Sequence, residues 1–282
     1  MQRFEPLSQY LCSNCGSILK ETDAQIDASS IVEDCPECGT SLRSCLTRRQ
    51  PTAIRERALP PLKLQTAYDL TRFRLDIEKL SPLLSLATTG SLCISGYRSN
   101  LLLTRLCVRA LLPTNHGGLD SPYVVIVDAG NKSDFYQTVD FIRQYGLNIR
   151  KALDRIIVSR TFTIYQLRSL LRELPKVAQR YQARAVVIPG LLDLFDDPNI
   201  KRKEAERVVG RISKSIAEIS NRLLVITSLQ DGKYTGLVTP SFRQRIEMRK
   251  ARYGRVSAEL YNQRERNHVS LTEDELKSIP EK

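Results

Sequence analysis

The chain has 282 residues, of which 41% are hydrophobic and 26% are charged, so it can bury at least one sizeable core and a small second module. Lysine and arginine number 43 against 31 acidic residues, and the net charge of +12 favours a polyanionic partner without separating DNA from RNA or an acidic protein. No apolar run reaches the length of a signal peptide or a membrane span, so we expect a soluble, cytoplasmic protein with no membrane partner.

The first region carries two copies of C-x-x-C-G, one with Cys12 and Cys15 and the other with Cys35 and Cys38. Each pair can form a turn that points two thiolates at one ion, and two such turns complete a tetrahedral zinc site. A redox C-x-x-C is the weaker alternative, because neither pair lies in a βαβ context. Four thiolates leave no open position for catalysis, so the sequence predicts a zinc ribbon over residues 1–45 with zinc as a structural cofactor.

The next region, residues 46–75, is rich in arginine and contains three prolines. This composition predicts a basic linker with a short helical piece near Thr66 to Phe73. Solvation and phosphate contact explain its charge equally well, and both interpretations stay open.

Residues 76–282 form the main domain, in which apolar runs alternate with amphipathic helices from Gly90 onward. The predicted helices begin near Asn100, at Ser133, at Thr163 and around Ala205. Continuous β-branched runs with crossover helices indicate a parallel sheet that is buried on both faces. After Thr239 the hydrophobic period changes to two, which predicts antiparallel strands that extend the sheet.

The stretch from Thr88 to Leu112 has the strand, glycine-led turn and apolar helix that carry the phosphate cradle in nucleotide-binding α/β proteins. A P-loop template, G-x-x-x-x-G-K-[ST], fits this stretch neither from Gly90 nor from Gly96. The setting of a nucleotide site is therefore present without the residues that bind phosphate.

The order of the elements and several local strings resemble the core of the RecA superfamily, specifically the archaeal and eukaryotic RadA-type recombinases and their paralogues. The strings are "TGSLCISG", "VVIVDAG", "AVVIPGLLDLF", "LLVITSLQ" and the tail from "SFRQRIEMRK". The resemblance covers roughly Gln65 to Leu276 and rests on the order of many weak strings. It implies an α/β fold with a RecA-like, mostly parallel sheet flanked by helices and C-terminal antiparallel strands, to which the small zinc ribbon is added.

The resemblance also locates a degenerate nucleotide site. Its positions are Gly96, Tyr97, Arg98, Ser99, Asn100, Asp128 and Pro189. The turn after Gly96 is about four residues shorter than the family's P-loop, so the glycine-rich amides and the phosphate-binding lysine have no counterparts. Asp128 stands where the catalytic glutamate region begins, and as a lone carboxylate it is expected to cap a turn.

Further positions of the family's ATP chemistry are also replaced. Pro189 takes the position of the Walker B aspartate and cannot hold Mg²⁺, although Asp193 could be proposed as a substitute. Ser228 and Gln230 are at best a partial remnant of the sensor Asn-Gln. We therefore expect neither ATP binding nor enzymatic activity.

The sequence offers few residues for other kinds of catalysis. His116 and His268 are the two histidines, and no nucleophile elbow is present. Cys93 and Cys107 fall on apolar faces of a strand and a helix, which is typical of buried structural cysteines.

The family's DNA-binding loops correspond to two basic stretches of this chain. Lys201, Arg202 and Lys203 follow the Walker B strand and are positioned to reach phosphates, although a solvated helix start explains the same run equally well. Lys233 and Tyr234 lie in the shortened second loop, where they offer a cation and a stacking ring.

Family members also carry F-x-x-A ahead of the core, and its Phe and Ala insert into a neighbouring protomer. Leu64 and Ala67 occupy these two positions, so a contact with a RadA-type recombinase or another RecA-like protomer is implied, while a simple helix start remains the alternative. The resemblance implies a non-catalytic, nucleoid-associated paralogue that assists homologous recombination or DNA repair by binding DNA, single-stranded rather than duplex, and an active recombinase. The alternative is a zinc-ribbon scaffold that recruits partners to replication, transcription or RNA machinery.

Overall fold

The computed structural model describes residues 72–262 and 265–279, three short strands nearer the N-terminus and the bridged pair Asp34 and Ser41. The chain divides into two compact units, Met1–Leu64 and Gln65–Lys282. The three strands of the first unit are Ser8–Cys12 (β1), Ile18–Thr22 (β2) and Leu46–Arg49 (β3). β1 lies between β2 and β3 and pairs antiparallel with both of them.

The second unit contains ten described strands and seven described α-helices. The strands are Arg72–Arg74 (β4), Ser85–Ala87 (β5), Gly90–Gly96 (β6), Val124–Asp128 (β7), Ile156–Arg160 (β8), Ala185–Ile188 (β9), Leu224–Leu229 (β10), Gln244–Lys250 (β11), Arg255–Asn262 (β12) and Arg266–Thr272 (β13). The helices are Ser99–Arg109 (α1), Phe135–Gln144 (α2), Ile149–Leu153 (α3), Ile164–Arg180 (α4), Arg202–Ser220 (α5), Thr235–Val238 (α6) and Glu273–Lys277 (α7).

One eight-stranded sheet organises this unit, in the order β13-β12-β11-β6-β10-β9-β7-β8. The strands from β6 to β8 in this order are parallel, as the β-branched runs predict. β12 and β13 pair antiparallel at the other side, which confirms the antiparallel extension. The extension begins one strand later than expected, because β11 still runs parallel to β6.

Helices cover both faces of the sheet. Successive strand residues point to opposite sides, so a continuous apolar strand presents apolar side chains to both faces. Every residue of β7, β9 and β10 is buried. Alternate residues of these strands contribute to two separate apolar clusters, one with α1 and α2 and the other with α4 and α5. The sheet therefore has the double burial that its uninterrupted apolar strands predict.

The helix boundaries follow capping chemistry. Thr163 caps α4 as predicted, since its hydroxyl accepts a hydrogen bond from the Gln166 amide at 3.1 Å. Asp134, and not Ser133, caps α2 by accepting from the Gln137 amide at 3.0 Å. The predicted helix near Asn100 begins one residue earlier, at Ser99.

The segment around Phe73 departs from the sequence prediction. Phe73 was expected to end a short helical piece, but it is the central residue of β4, which pairs with β5. Its ring is fully buried, so tertiary packing decides the local conformation. The part of that piece before Arg72 lies outside the described residues.

A buried ionic cluster joins the start and the end of this unit to α1. The Asp76 carboxylate accepts from Arg105 Nε at 3.0 Å and from the Tyr145 hydroxyl at 2.8 Å, and it pairs with Arg109 at 3.4 Å. Arg105 is fully buried and also donates to the carbonyl oxygens of two residues of α7. Burial alone would raise the pKa of Asp76, but the hydrogen bond and charge of Arg105 hold that pKa below its ordinary value.

Candidate functional site

The carboxyl edge is the edge of the sheet at which its six parallel strands end. These ends are Gly96, Asp128, Arg160, Ile188, Leu229 and Lys250. The helices after β6 and β7 pack on one face of the sheet, whereas those after β8 and β9 pack on the other. The connections that follow neighbouring strands such as β7 and β9 therefore lead to opposite faces of the sheet. Open α/β sheets bind ligands in the crevice between such connections.

The turn between β6 and α1 is packed tightly against β11. Gly96 has φ +83°, and a Cβ at this position would lie 2.2 Å from the Met248 carbonyl oxygen. The Tyr97 amide donates to that same carbonyl at 2.8 Å. Arg98 follows with φ 60° and precedes α1 without a side-chain cap. The turn between β6 and α1 is therefore short and rests directly on β11.

Side chains of this turn reach the C-terminal helix α7. The Tyr97 hydroxyl donates to Glu273 Oε1, and Arg98 forms an ion pair with Glu273 Oε2 at 3.2 Å. The Arg98 guanidinium also lies 5.4 Å from the centroid of the Tyr97 ring. A carboxylate of the protein itself thus accepts from the turn that would face phosphate in a nucleotide-binding protein.

The start of α1 is bonded to the neighbouring strand ends. The Ser228 hydroxyl donates to Asn100 Oδ1 and accepts from the Gly190 amide at 2.9 Å. Gly190 has φ +64°, a conformation that glycine adopts without strain. Ser228, the proposed remnant of the sensor, is therefore a structural link between β10, β9 and α1.

Asp128 is fully buried at the end of β7. Its Oδ1 accepts from the Lys132 amide at 2.8 Å, and its Oδ2 pairs with Arg160 Nε at 3.4 Å. The prediction that Asp128 caps a turn is confirmed. With both oxygens engaged, this carboxylate is poorly placed to orient a water molecule.

Pro189 and Asp193 follow β9. The Pro189 carbonyl accepts from the Ala129 amide at 3.3 Å, so it links the ends of β9 and β7. Asp193 pairs with Lys132 Nζ at 3.5 Å. A Cβ at the adjacent Gly190 would lie 2.8 Å from the Asp193 carboxylate. Asp193 therefore approaches the position suggested for a substitute metal ligand, but a lysine already neutralises it.

The structure places the predicted nucleotide-site residues at the carboxyl edge, where Tyr97 and Arg98 bond to α7 and Asn100, Asp128 and Pro189 bond to other residues of the edge. Elsewhere, Cys93 and Cys107 are buried, and burial raises the pKa of both thiols to about 12. Their thiolates are disfavoured at neutral pH, which confirms the interpretation of both residues as structural cysteines.

The predicted DNA-contact residues separate into exposed and buried groups. Lys201, Arg202 and Lys203 are exposed at the start of α5, and Arg202 pairs with Glu206 at 2.8 Å. Lys233 is exposed as well. Tyr234 does not present its ring to a ligand.

The buried position of Tyr234 corrects the sequence prediction. Its exposure is 8%, and its ring lies 6.0 Å from that of Phe195 in the core. The ring is thus used for packing between the segments after β9 and β10. Lys233 retains its role as a candidate cation.

Exposed aromatic residues at the carboxyl edge escaped the sequence prediction. Tyr136 follows β7, Phe162 follows β8 and Tyr253 follows β11, with exposures of 90%, 71% and 96%. Leu237, after β10, is exposed by 51%. The only local signal was an aromatic residue close to cations and a turn, as in "RKARYGR" around Tyr253. Exposed apolar side chains mark an interaction surface where they form a contiguous patch, whereas single ones are ordinary, so these residues are candidates for contact.

Other predicted site residues lie outside the described part of the chain. These are Cys15, Cys35, Cys38, Leu64 and Ala67, together with the side chain of Cys12. Within the described residues, no group of three or more His, Cys, Asp and Glu side chains is arranged to hold a metal ion. The predicted zinc site and the predicted protomer contact therefore remain predictions.

No protein-family model matches the chain, and no curated protein sequence does. Among the helices that the structure describes, none combines the length and apolar character required to cross a membrane. The function is therefore inferred from the residues of the carboxyl edge.

Proposed function

We propose that this chain is a non-catalytic RadA-like paralogue that assists homologous recombination or DNA repair by binding DNA and an active recombinase. The observation that carries the proposal is the carboxyl edge, which combines exposed cations and aromatic rings with a closed turn at the nucleotide position. The strings that resemble RadA also fall on suitable elements: "TGSLCISG" forms β6 ahead of α1, "VVIVD" forms β7 and "AVVI" forms β9.

The lack of ATP chemistry is supported by the partners of the replaced residues. Tyr97 and Arg98 bond to Glu273, Asn100 bonds to Ser228, and each oxygen of Asp128 has a partner, in Lys132 and Arg160. A nucleotide would have to break several of these contacts, and the turn would not offer it the glycine-rich amides of a P-loop. These residues instead hold the strand ends, α1 and α7 together.

DNA binding is supported by the pairing of charge and aromatic surface. The cations at the start of α5 and the half-exposed Arg160 provide phosphate contacts, and Tyr136, Phe162 and Tyr253 provide rings for stacking. Unpaired bases offer faces for such stacking, whereas bases in a duplex are already stacked. This surface therefore favours a single strand.

The recombinase contact is supported by the outer strand of the parallel part of the sheet. Among the strands that the structure describes, β8 pairs only with β7, and Val158 on this strand is 39% exposed. Phe162 follows immediately after the strand. An unpaired edge with apolar side chains is suited to accept a strand from another protomer.

The decisive experiment replaces Lys201, Arg202 and Lys203 together by alanine and measures binding of single-stranded DNA over a range of salt concentrations. Each phosphate contact contributes roughly 0.7 to the slope on a single strand, so the slope should fall by about 1.4 to 2.1, the lower value applying if Glu206 keeps Arg202 occupied. Binding should weaken for all sequences alike.

The matched control removes three exposed cations near the far end of α4, Arg172, Lys176 and Arg180. This control should retain the wild-type slope. If both variants bind DNA like the wild type, the DNA contact is wrong and the scaffold alternative gains support.

The partner contact has its own test. Val158→Asp places a charge on the exposed face of β8 and should abolish recovery of the active recombinase in a pull-down from the source cells. Ala217→Asp, at an exposed apolar position near the far end of α5 and away from the carboxyl edge, is the control and should retain the partner. Loss of the partner in both variants would contradict a contact at β8.

A further inference from the structure

The Glu273 carboxylate lies within a ring of cations and one hydroxyl. Tyr97 donates to Oε1, while Arg98 and Lys277 approach Oε2 at 3.2 and 3.3 Å. The ammonium group of Lys250 lies 5.8 Å from the centroid of the Tyr97 ring. Two cations thus pair with one carboxylate, and a third lies beside the Tyr97 ring that bonds to it.

The electrostatics of this ring favour an anion strongly. The hydrogen bond from Tyr97, followed by that from Lys277 and the charge of Arg98, lowers the pKa of Glu273 to about 2. The cations are open to solvent, since the Arg98 and Lys277 side chains are 41% and 48% exposed. An external anion can therefore reach the same groups.

We propose that Tyr97, Arg98, Lys250 and Lys277 form a phosphate-group site that Glu273 fills from within the chain, and that a phosphate-bearing ligand competes with Glu273 for it. A phosphate group has more acceptor oxygens than a carboxylate and, as a monoester, more charge. The site is made by side chains and does not depend on the amides of α1. It goes beyond the proposed DNA contact at α5.

Displacement of Glu273 has a structural consequence. Glu273 is the first residue of α7, and its contacts with Tyr97 and Arg98 hold that helix to the turn after β6. The buried Arg105 holds the same helix through two carbonyl oxygens. A bound phosphate group should therefore loosen the first turn of α7 without unfolding the domain.

The test compares Glu273→Gln with the wild type, using pyrophosphate as the probe in calorimetry at low salt. Removing the internal anion should tighten pyrophosphate binding about tenfold, and adding Arg98→Gln should reverse the gain. The control is Glu173→Gln, because Glu173 pairs with Arg172 and Lys176 much as Glu273 pairs with Arg98 and Lys277. Equal affinity in all of these proteins would overturn the proposal.

A second measurement uses the wild-type protein and so does not depend on the folding of a variant. Saturating pyrophosphate should accelerate hydrogen exchange of the α7 amides and leave those of α5 unchanged. Unchanged exchange in α7 under these conditions would overturn the competition with Glu273.

A competition experiment with the Glu273→Gln variant identifies the kind of molecule that carries the phosphate group. Displacement of pyrophosphate by an oligodeoxynucleotide supports the site and identifies strand phosphates as its ligand. Pyrophosphate binding that the oligonucleotide leaves intact supports the site as one for a small phosphate ester. The alanine replacement of Lys201, Arg202 and Lys203 tests the proposed DNA binding separately, so the two proposals can fail independently.

Discussion

Replacing Asp76 by asparagine should destabilise the Gln65–Lys282 unit severely. Asp76 is the single carboxylate that pairs with Arg105 and Arg109 in the described residues, and the Arg105 side chain is fully buried. Asparagine can still accept a hydrogen bond, but it leaves the buried guanidinium without a counter-charge. Removing one partner of a buried ion pair costs about 3–5 kcal/mol. For a unit of roughly 220 residues, this loss lowers Tm by about 7–11 °C.

The free energy of unfolding should be measured by urea titration and the Tm by calorimetry, with zinc kept constant. Asp140→Asn is the matched control, because Asp140 pairs with Arg143 on the surface, where both side chains are more than 60% exposed. A surface pair of this kind contributes about 1 kcal/mol or less. If Asp76→Asn lowers the free energy of unfolding by no more than Asp140→Asn does, the view that Asp76 neutralises a buried arginine is refuted.

Three further outcomes follow from the site and the zinc motif. Metal analysis should find one tightly bound zinc per chain, lost when serine replaces any of Cys12, Cys15, Cys35 and Cys38; folded protein with no metal would contradict the assignment. Gly96→Ala should lower the free energy of unfolding, measured by urea titration, by more than about 2 kcal/mol, because the new Cβ would lie 2.2 Å from the Met248 carbonyl oxygen. The folded-state pKa of Glu273 is depressed from 4.5 to about 2, so its contribution to stability is present above pH 4.5 and is lost as the pH falls towards 2. The Tm difference between wild type and Glu273→Gln should shrink over that range, and a constant difference would disprove the ion pair.

The parallel sheet was predictable because its strands carry a strong local signal. "VVIVD" and "AVVI" are short, continuous and β-branched, and each became a fully buried strand. Thr163 was recognisable as a cap because the hydroxyl precedes an apolar helical period. The parallel pairing of β11 was not recognisable, since the alternating pattern of a half-buried strand is the same for either pairing direction.

The candidate site was only partly predictable. The resemblance placed Gly96, Asp128 and Pro189 at strand ends, and the parallel fold brings such ends to one edge. The role of Glu273 could not be read from the chain, because it meets Tyr97 across 176 residues. Tyr234 was misassigned because a single aromatic residue after a lysine shows no hydrophobic periodicity, and burial is predicted from that periodicity.

The contacts of Arg105 have a consequence for the synthesis of the protein. This side chain needs Asp76, on the N-terminal side of α1, and two carbonyl oxygens of α7, which are translated about 170 residues later. During translation, α1 therefore leaves the ribosome long before its last hydrogen-bond acceptors exist. We expect nascent chains that stop before Leu276 to remain protease-sensitive even when every strand of the sheet is present, so that this unit folds only once α7 has been made rather than progressively from its N-terminus.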